Sequence, residues 1–188
     1  MPGIQYTHLS LPQIEAEFGA IARETADVFS HLDARQLNWR PGPDAWSVAQ
    51  CFDHLLSANR EMFDAIDAAF VRPPTIWQQL PGLPRLFGRL LIRSQVPEAT
   101  RKFTAPKQAT PSASAIDASI VQRFIDYQSE AARRVHAIDA ASAARTMVSP
   151  FVSFIAYSVL DGCRLIVTHE RRHFEQARRV LQQAGFPN

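Results

Sequence analysis

Two histidines stand four residues apart near the C-terminal end of the sequence, in the segment His169-Glu170-Arg171-Arg172-His173. In an α-helix, side chains at this spacing lie one turn apart on the same face. Two imidazoles placed in this way can bind one transition metal ion. The pair also falls on an apolar helix face, where polar rings need a partner. That partner is either a metal ion or a set of hydrogen bonds to neighbouring groups and water at the edge of the face.

The same five residues match the His-Glu-x-x-His pattern of zinc proteases. That class generally takes a third ligand downstream, but the residues after His173 include one acid, Glu175, and no histidine. Gln176 and Arg179 stand where the extended form of the motif has glycine and histidine. We therefore set the protease interpretation aside and expect a third ligand upstream.

His54 is the best upstream candidate, because it lies on the shoulder of an apolar helical face one turn after Cys51. If its helix packs beside the C-terminal helix, His54 can face His169 and His173. Cys51 is either a further ligand or a buried thiol. Glu170 is a candidate catalytic residue, as a proton acceptor or as a hydrogen-bond partner of a ligand. Its alternative is an exposed helix charge.

Four long segments show the apolar spacing of amphipathic helices, approximately over residues 10–32, 47–70, 114–137 and 158–185. Ser10 can cap the first helix, Ser47-Val-Ala-Gln50 is a capping box at the start of the second, and Gly185 is typical of a residue just past a helix end. We expect Trp39 and Trp46, which flank the turn before the second helix, to seal the end of the helices rather than to contact a ligand.

The connection between the second and third helices is unusually long for a loop without structure of its own. We predict a short helix in it over Leu83–Arg93, with Phe87, Leu90 and Leu91 facing inward. No strand pattern is convincing, and the best candidate, residues 151–157, lacks a partner. The sequence therefore predicts an all-α chain, a single domain over 1–188, built as a four-helix bundle with a long crossover between helices 2 and 3.

Composition narrows the classes of function. The chain has 188 residues, 46% apolar and 20% charged, with a net charge of +2, which fits a folded globular protein and gives no basis for a nucleic-acid partner. No segment approaches the roughly 20 apolar residues of a membrane span, and the N-terminus lacks the regions of a signal peptide. Cys51 and Cys163 both lie in helical patterns. We expect reduced thiols, a cytoplasmic location and no membrane partner.

Two parts of the sequence resemble the DinB/YfiT-like superfamily. The first is Leu37-Asn-Trp-Arg-Pro41 followed by Pro43-Asp-Ala-Trp-Ser47-Val-Ala-Gln-Cys-Phe-Asp-His54-Leu, which is similar to the entry to the family's second helix. The second is Thr168-His169-x-x-x-His173-Phe-Glu-Gln176, which is similar to the family's terminal motif. The motifs are short, but their joint placement is fairly specific and spans most of the chain.

This resemblance implies an up-down-down-up four-helix bundle, which agrees with the long crossover. Family members commonly bind a divalent metal through three histidines, which correspond here to His54, His169 and His173. Characterised relatives include S-transferases that use the low-molecular-weight thiols bacillithiol or mycothiol, and a mycothiol-dependent maleylpyruvate isomerase. Many members have no known activity.

Three neutral imidazoles would leave Zn, Ni or Fe with its full 2+ charge and an open position, which is typical of catalytic sites. Such an ion favours the deprotonated form of a bound thiol or water. We expect a bacterial metal-dependent enzyme with a small-molecule substrate, either a transferase that acts with a low-molecular-weight thiol or an enzyme of hydrolase-like activity. The alternatives are a non-catalytic module that binds a metal or small ligand for sensing or stress response, a scaffold with a relict site, and a heme held by His54 and one other histidine. A homodimer is compatible with this architecture.

Overall fold

The computed structural model of the chain describes residues 5–72, 75, 80, 82–97, 110–111 and 115–187. These residues form a mostly helical protein with one small antiparallel sheet. The α-helices are α1 (Leu11–Phe29), α2 (Ala34–Asn38), α3 (Val48–Val71), α4 (Leu83–Ser94), α5 (Ile120–His136), α6 (Ala140–Ala144) and α7 (Val159–Leu181), and the strands are β1 (Thr146–Val148) and β2 (Ala156–Ser158). A 3-10 turn over Tyr6–His8 precedes α1.

Side chains fix the starts of α1 and α3 where the sequence predicted them. Ser47 Oγ accepts from the Gln50 backbone N–H at 3.1 Å, while the Ser47 N–H donates to Gln50 Oε1 at 3.1 Å. At the start of α1, the Ser10 N–H donates to Gln13 Oε1 at 2.8 Å. These contacts satisfy backbone donors that have no partner within the helix. The capping-box prediction for α3 is therefore confirmed.

The interior is divided into two apolar clusters by a layer of polar side chains. Each of α3, α5 and α7 contributes residues to both clusters. Where the two contributions meet, each of these helices carries one buried amide or carboxylate side chain: Asn59 on α3, Gln128 on α5 and Glu170 on α7. These three residues contact one another, so the buried polar layer has a single location across the protein.

Two predicted helix ends differ from the structure. The third long helix begins at Ile120 and not near Ser114, which itself lies outside the described residues. The Asn38 side chain bonds both the N–H and the C=O of Ile116 at 2.8 Å, and Asp117 accepts from the Ser119 N–H, so these contacts occupy the backbone groups that a longer helix would use. The last helix ends at Leu181, and Gly185 adopts its positive φ of 86° in a later turn.

The prediction that no strand is paired was wrong. The strand β2 overlaps the candidate at 151–157 and pairs antiparallel with β1, with Met147 opposite Tyr157. Both of those side chains are buried, and β1 packs on α3 while β2 packs on α4. A hairpin this short is stable only when its apolar face packs on other elements. The three-residue strands are too short to produce a recognisable alternation in the sequence.

The short helix α4 confirms the prediction for Leu83–Arg93, but part of its predicted inner face is wrong. Leu90 is about half-exposed, and the buried positions are Gly88 and Ile92. Gly88 allows close contact with α7, since a Cβ there would lie 2.5 Å from Asp161 Oδ2. The absence of a side chain at Gly88, rather than apolar periodicity, therefore sets the rotation of α4. None of the described helices is long and apolar enough to cross a membrane.

Candidate metal centre

The three histidines come together from two long helices that pack against each other. His54 lies on α3, and His169 and His173 lie one turn apart on α7. One nitrogen from each ring lies within 4.8 Å of the other two. The ring centroids are 5.0 Å apart for His54 and His169, 4.6 Å for His54 and His173, and 4.5 Å for His169 and His173. The structure therefore brings together all three predicted ligands.

The rotation of α7 that produces this cluster is fixed by a neighbouring arginine. Arg171, between the two histidines, donates to Glu17 Oε2 at 2.9 Å and to Glu24 Oε2 at 2.7 Å, both on α1. Its side chain is only 12% exposed, so this pairing is better shielded from solvent than an ordinary surface pair. Because Arg171 contacts α1, the face of α7 that carries the two histidines lies toward α3.

The spacing of the nitrogens fits a shared metal ion. His54 Nε2 and His169 Nε2 are 3.2 Å apart. Two nitrogens bound to one tetrahedral zinc, each at about 2.0–2.1 Å, would be separated by about 3.3 Å. A hydrogen bond between the two rings has a similar length, so this distance alone does not distinguish the two. His173 adds a second observation, because its Nδ1 is buried without a hydrogen-bond partner among the described residues. A metal–ligand bond would satisfy such an atom.

Burial keeps the histidines in the form that binds metals. Loss of solvent, followed by the neighbouring His54 and Arg172, lowers the pKa of His173 to about 3. The pKa of His169 is held well below 6.5, first by burial and then by His173 and His54. Both rings are therefore neutral at physiological pH, and the neutral imidazole is the ligand form. His169 and His173 can therefore bind a divalent ion without first losing a proton.

Trp46 forms one side of the histidine cluster, contrary to the prediction that it seals the end of the helices rather than contacting a ligand site. Its ring stacks on His173 with centroids 5.5 Å apart and an interplanar angle of 19°, and it contacts His54 at 4.9 Å. Trp39 behaves as predicted and packs against Phe186 near the chain end. The sequence does contain an indication that Trp46 lies near His54. Trp46 directly precedes the Ser47 cap and lies about two helical turns before His54.

Glu170 is fully buried, so the alternative that it is an exposed helix charge is wrong. Its Oε1 accepts hydrogen bonds from Asn59 Nδ2 at 2.6 Å and from Gln128 Nε2 at 3.1 Å. Burial raises the pKa of Glu170 to about 7, although both amide donors act in the opposite direction. The removal of water from the carboxylate therefore outweighs two hydrogen bonds. Whether Glu170 acts in catalysis stays a prediction.

The polar layer around Glu170 contains more acceptors than donors. The buried atoms Glu170 Oε2, Asn59 Oδ1 and Gln128 Oε1 have no hydrogen-bond partner among the described residues, and neither does the Tyr127 hydroxyl. Burial and the Glu170 charge raise the Tyr127 pKa, so Tyr127 keeps its proton. A proton on Glu170 Oε2 would add a donor to this set of acceptors. The neutral acid therefore fits the layer better than the carboxylate does.

The two cysteines are excluded from the chemistry of the centre. Cys51 and Cys163 are free and buried, and loss of solvent raises the pKa of each to about 12. A thiol that keeps its proton is a poor nucleophile and a poor ligand. Among the described residues, the cluster consists of the three histidines and includes neither thiol. Cys51 is therefore the buried thiol of the two alternatives given for it.

The comparisons with known proteins agree with this geometry. A family model described as the DinB superfamily matches residues 17–177, which include α3, most of α7 and all three histidines. A search of curated proteins and a search of solved structures each find no match. Because the family model covers most of the sequence, the chain belongs to the DinB superfamily.

Proposed function

We propose that this protein is a metal-dependent enzyme in which His54, His169 and His173 hold a divalent ion with an open position. The convergence of three histidine nitrogens within 4.8 Å is the observation that carries the proposal. Structural zinc sites normally have four protein ligands, whereas catalytic sites have three and leave a position for water or substrate. The described residues provide three.

A bound divalent ion would lower the pKa of a thiol or water at the open position and so supply a nucleophile at neutral pH. The residues of the chain contribute by holding three neutral rings together and by closing one side of the cluster with Trp46. Zn, Ni and Fe all accept imidazole ligands, so the donor set is compatible with each of them.

The buried cysteines favour an external sulfur nucleophile over one from the chain itself. Since both thiols have a raised pKa and lie in the core, a sulfur transfer would need a low-molecular-weight thiol such as bacillithiol or mycothiol. The acceptor would be a small electrophile. We propose this thiol transfer as the reaction class. Glu170 directly follows His169 in the sequence, and its pKa of about 7 suits proton transfer at neutral pH.

Four further predictions accompany this function. The up-down-down-up bundle is supported by the packing of α1 on α5 and α7 and of α3 on α7. The single domain over 1–188, the cytoplasmic location and the homodimer stay predictions.

Metal analysis of the protein purified without a histidine tag is the decisive experiment. We expect about one equivalent of a divalent metal in the wild type, lost in His54→Ala and in His169→Ala. His31→Ala is the matched control, because His31 is exposed and outside the cluster. Circular dichroism of each variant separates loss of ligand from loss of fold.

Transfer of a thiol to a model electrophile, measured with and without chelator, then tests the reaction. Metal-dependent transfer that disappears in both cluster variants would support the enzyme. If the wild type binds no metal after reloading with Zn, Ni and Fe, the site assignment is wrong. If it binds metal but transfers no thiol to any electrophile, the protein is a non-catalytic binding module.

A further inference from the structure

A second candidate site lies away from the histidines, in a cavity of about 470 Å³. It opens where the N-terminal ends of α4 and α7 meet the start of the chain. Cavities that bind small molecules in proteins commonly have volumes of this order. The charged side chains that line it are Arg85, Arg89, Arg164 and Asp161.

The charges in this cavity are unbalanced. Asp161 already pairs with Arg164, whose Nη1 lies 2.8 Å from Asp161 Oδ1. Arg85 and Arg89 stand one turn apart on α4 and form no ion pair with any acid among the described residues. The three arginines and one aspartate therefore give the lining a net charge of +2. An anion with two charges would neutralise it.

The lining also has the groups that recognise an oxyanion. Guanidinium groups bind phosphate and carboxylate through paired N–H donors in a fixed plane. Hydroxyl groups of Thr7, Thr146 and Ser158 line the same cavity and can donate to further oxygens. Inorganic phosphate would occupy only part of this volume, so the cavity has room for the organic part of a phosphorylated molecule.

The helix that borders the cavity adds positive charge. The described residues 82–97 contain Arg85, Arg89 and Arg93 and no acid. This segment therefore carries a net charge of +3 in a chain whose total is +2. The charge of α4 favours the approach of anions to the cavity.

The cavity is separate from the histidine cluster. None of its lining residues is one of the three histidines. Arg164 is the lining residue nearest to His169 in the sequence, and their separation of five residues corresponds to about 7.5 Å along α7. A ligand in the cavity would not fill the open position of a metal held by the histidines.

We propose that this cavity binds a small soluble molecule that carries a phosphate group as its dianion, with Arg85 and Arg89 as the residues that contact the phosphate. The proposal is independent of the metal centre. It holds equally if the histidines bind no metal.

Calorimetric titration with glycerol 3-phosphate and with inorganic phosphate tests this site at low, constant ionic strength. The titration is performed on the protein as purified and again after chelation, because phosphate can also bind a metal ion. We expect saturable binding of one equivalent in both preparations, with a dissociation constant of about 1 mM or tighter for glycerol 3-phosphate. Binding that disappears with the metal would place the phosphate at the histidines and overturn the proposal.

Three variants that each remove one positive charge distinguish binding in the cavity from unspecific electrostatic attraction of the anion to the protein. Arg85→Gln and Arg89→Gln should each weaken binding about tenfold or more, because each loses a charged pair of donors. Arg93→Gln, on the same exposed helix but outside the cavity lining, should weaken it less than about threefold. Equal losses in all three variants would mean unspecific attraction and would refute the proposal. All three positions are exposed, so the variants should fold.

A lipid headgroup is the other source of a phosphate group. Vesicles of phosphatidylcholine with and without phosphatidic acid therefore form a second arm of the experiment. Binding to the phosphatidic acid vesicles without binding of glycerol 3-phosphate would overturn the assignment to a soluble molecule. Binding of glycerol 3-phosphate that vesicles do not reproduce would support it.

Discussion

Replacement of Glu170 by glutamine should make the metal-free protein more stable at neutral and alkaline pH. The side chain is fully buried, and burial raises its pKa from 4.5 to about 7. The folded state therefore binds the proton more tightly than the unfolded chain between these two values. By linkage, the free energy of unfolding falls as pH rises through this window and stays lower above it. Glutamine has nearly the same shape and cannot ionise.

The size of the effect follows from the shift. A difference of about 2.5 units corresponds to about 3 kcal/mol, since one unit is worth about 1.4 kcal/mol. We expect Glu170→Gln and the wild type to differ little near pH 4.5. At pH 8 the variant should be more stable by about 3 kcal/mol. The histidines act in the opposite direction, because the lowered pKa of His173 costs stability as pH falls below 6.5. The effect of Glu170 alone is therefore the difference in the free energy of unfolding between the variant and the wild type at each pH.

Urea denaturation followed by circular dichroism, from pH 4.5 to pH 8 with chelator present, provides this difference. Glu175→Gln is the matched control on the same helix. Glu175 is partly exposed and pairs with Arg178 at 3.5 Å, so its removal should change stability by less than about 1 kcal/mol at every pH. If Glu170→Gln is destabilised equally across the whole range, the carboxylate must be compensated in the fold, and the neutral-acid interpretation of the polar layer is refuted.

Two further predictions concern Trp46 and the glycines of the helices. Trp46→Ala should raise the metal dissociation constant about two- to tenfold, because the stacked ring supports His173. The dissociation constant of Trp46→Phe should lie between those of the wild type and Trp46→Ala. Competition with a chelator measures these constants, and unchanged affinity in both variants would contradict the prediction. Gly88→Ala should destabilise the protein by about 1–3 kcal/mol, since the added Cβ meets Asp161. Gly19→Ala should instead stabilise the protein by up to about 1 kcal/mol, because its Cβ would meet only the flexible end of Arg23 at 3.4 Å. Urea denaturation measures both changes in the free energy of unfolding, and the same sign for both variants would refute this reasoning.

The histidine cluster could be predicted from the sequence because its spacing is local. His169 and His173 share a helix face through their four-residue separation alone, and His54 needed only the packing of two helices. Helix starts were also predictable, because a capping box is encoded within four residues. The start of α5 was not predictable, since it depends on Asn38 holding the backbone of Ile116 from a distant part of the chain.

The hairpin and the inner face of α4 show a different limit. Three-residue strands leave no alternation to detect, so their pairing becomes visible only when β1 and β2 are packed on the helices. On α4 the amphipathic pattern was correctly recognised, yet Leu90 is exposed because close contact at Gly88 sets the rotation of the helix. Apolar periodicity predicts that a face is buried, but it cannot show which contact decides the rotation.

The polar layer could not be predicted, although it helps to bring the histidine cluster together. Asn59, Gln128 and Glu170 lie on three different helices, and nothing in one helix indicates the others. Once the helices pack, Glu170 Oε1 has hydrogen-bond donors only where Asn59 and Gln128 both reach it. This requirement holds whether Glu170 is charged or protonated, and it fixes the positions of α3 and α5 along α7. Because His169 directly precedes Glu170 on α7, and His54 lies five residues before Asn59 on α3, the same contact that fixes this sliding brings the two histidines within 3.2 Å. The layer thus provides positional precision for the site at the cost of burying an acid in the core.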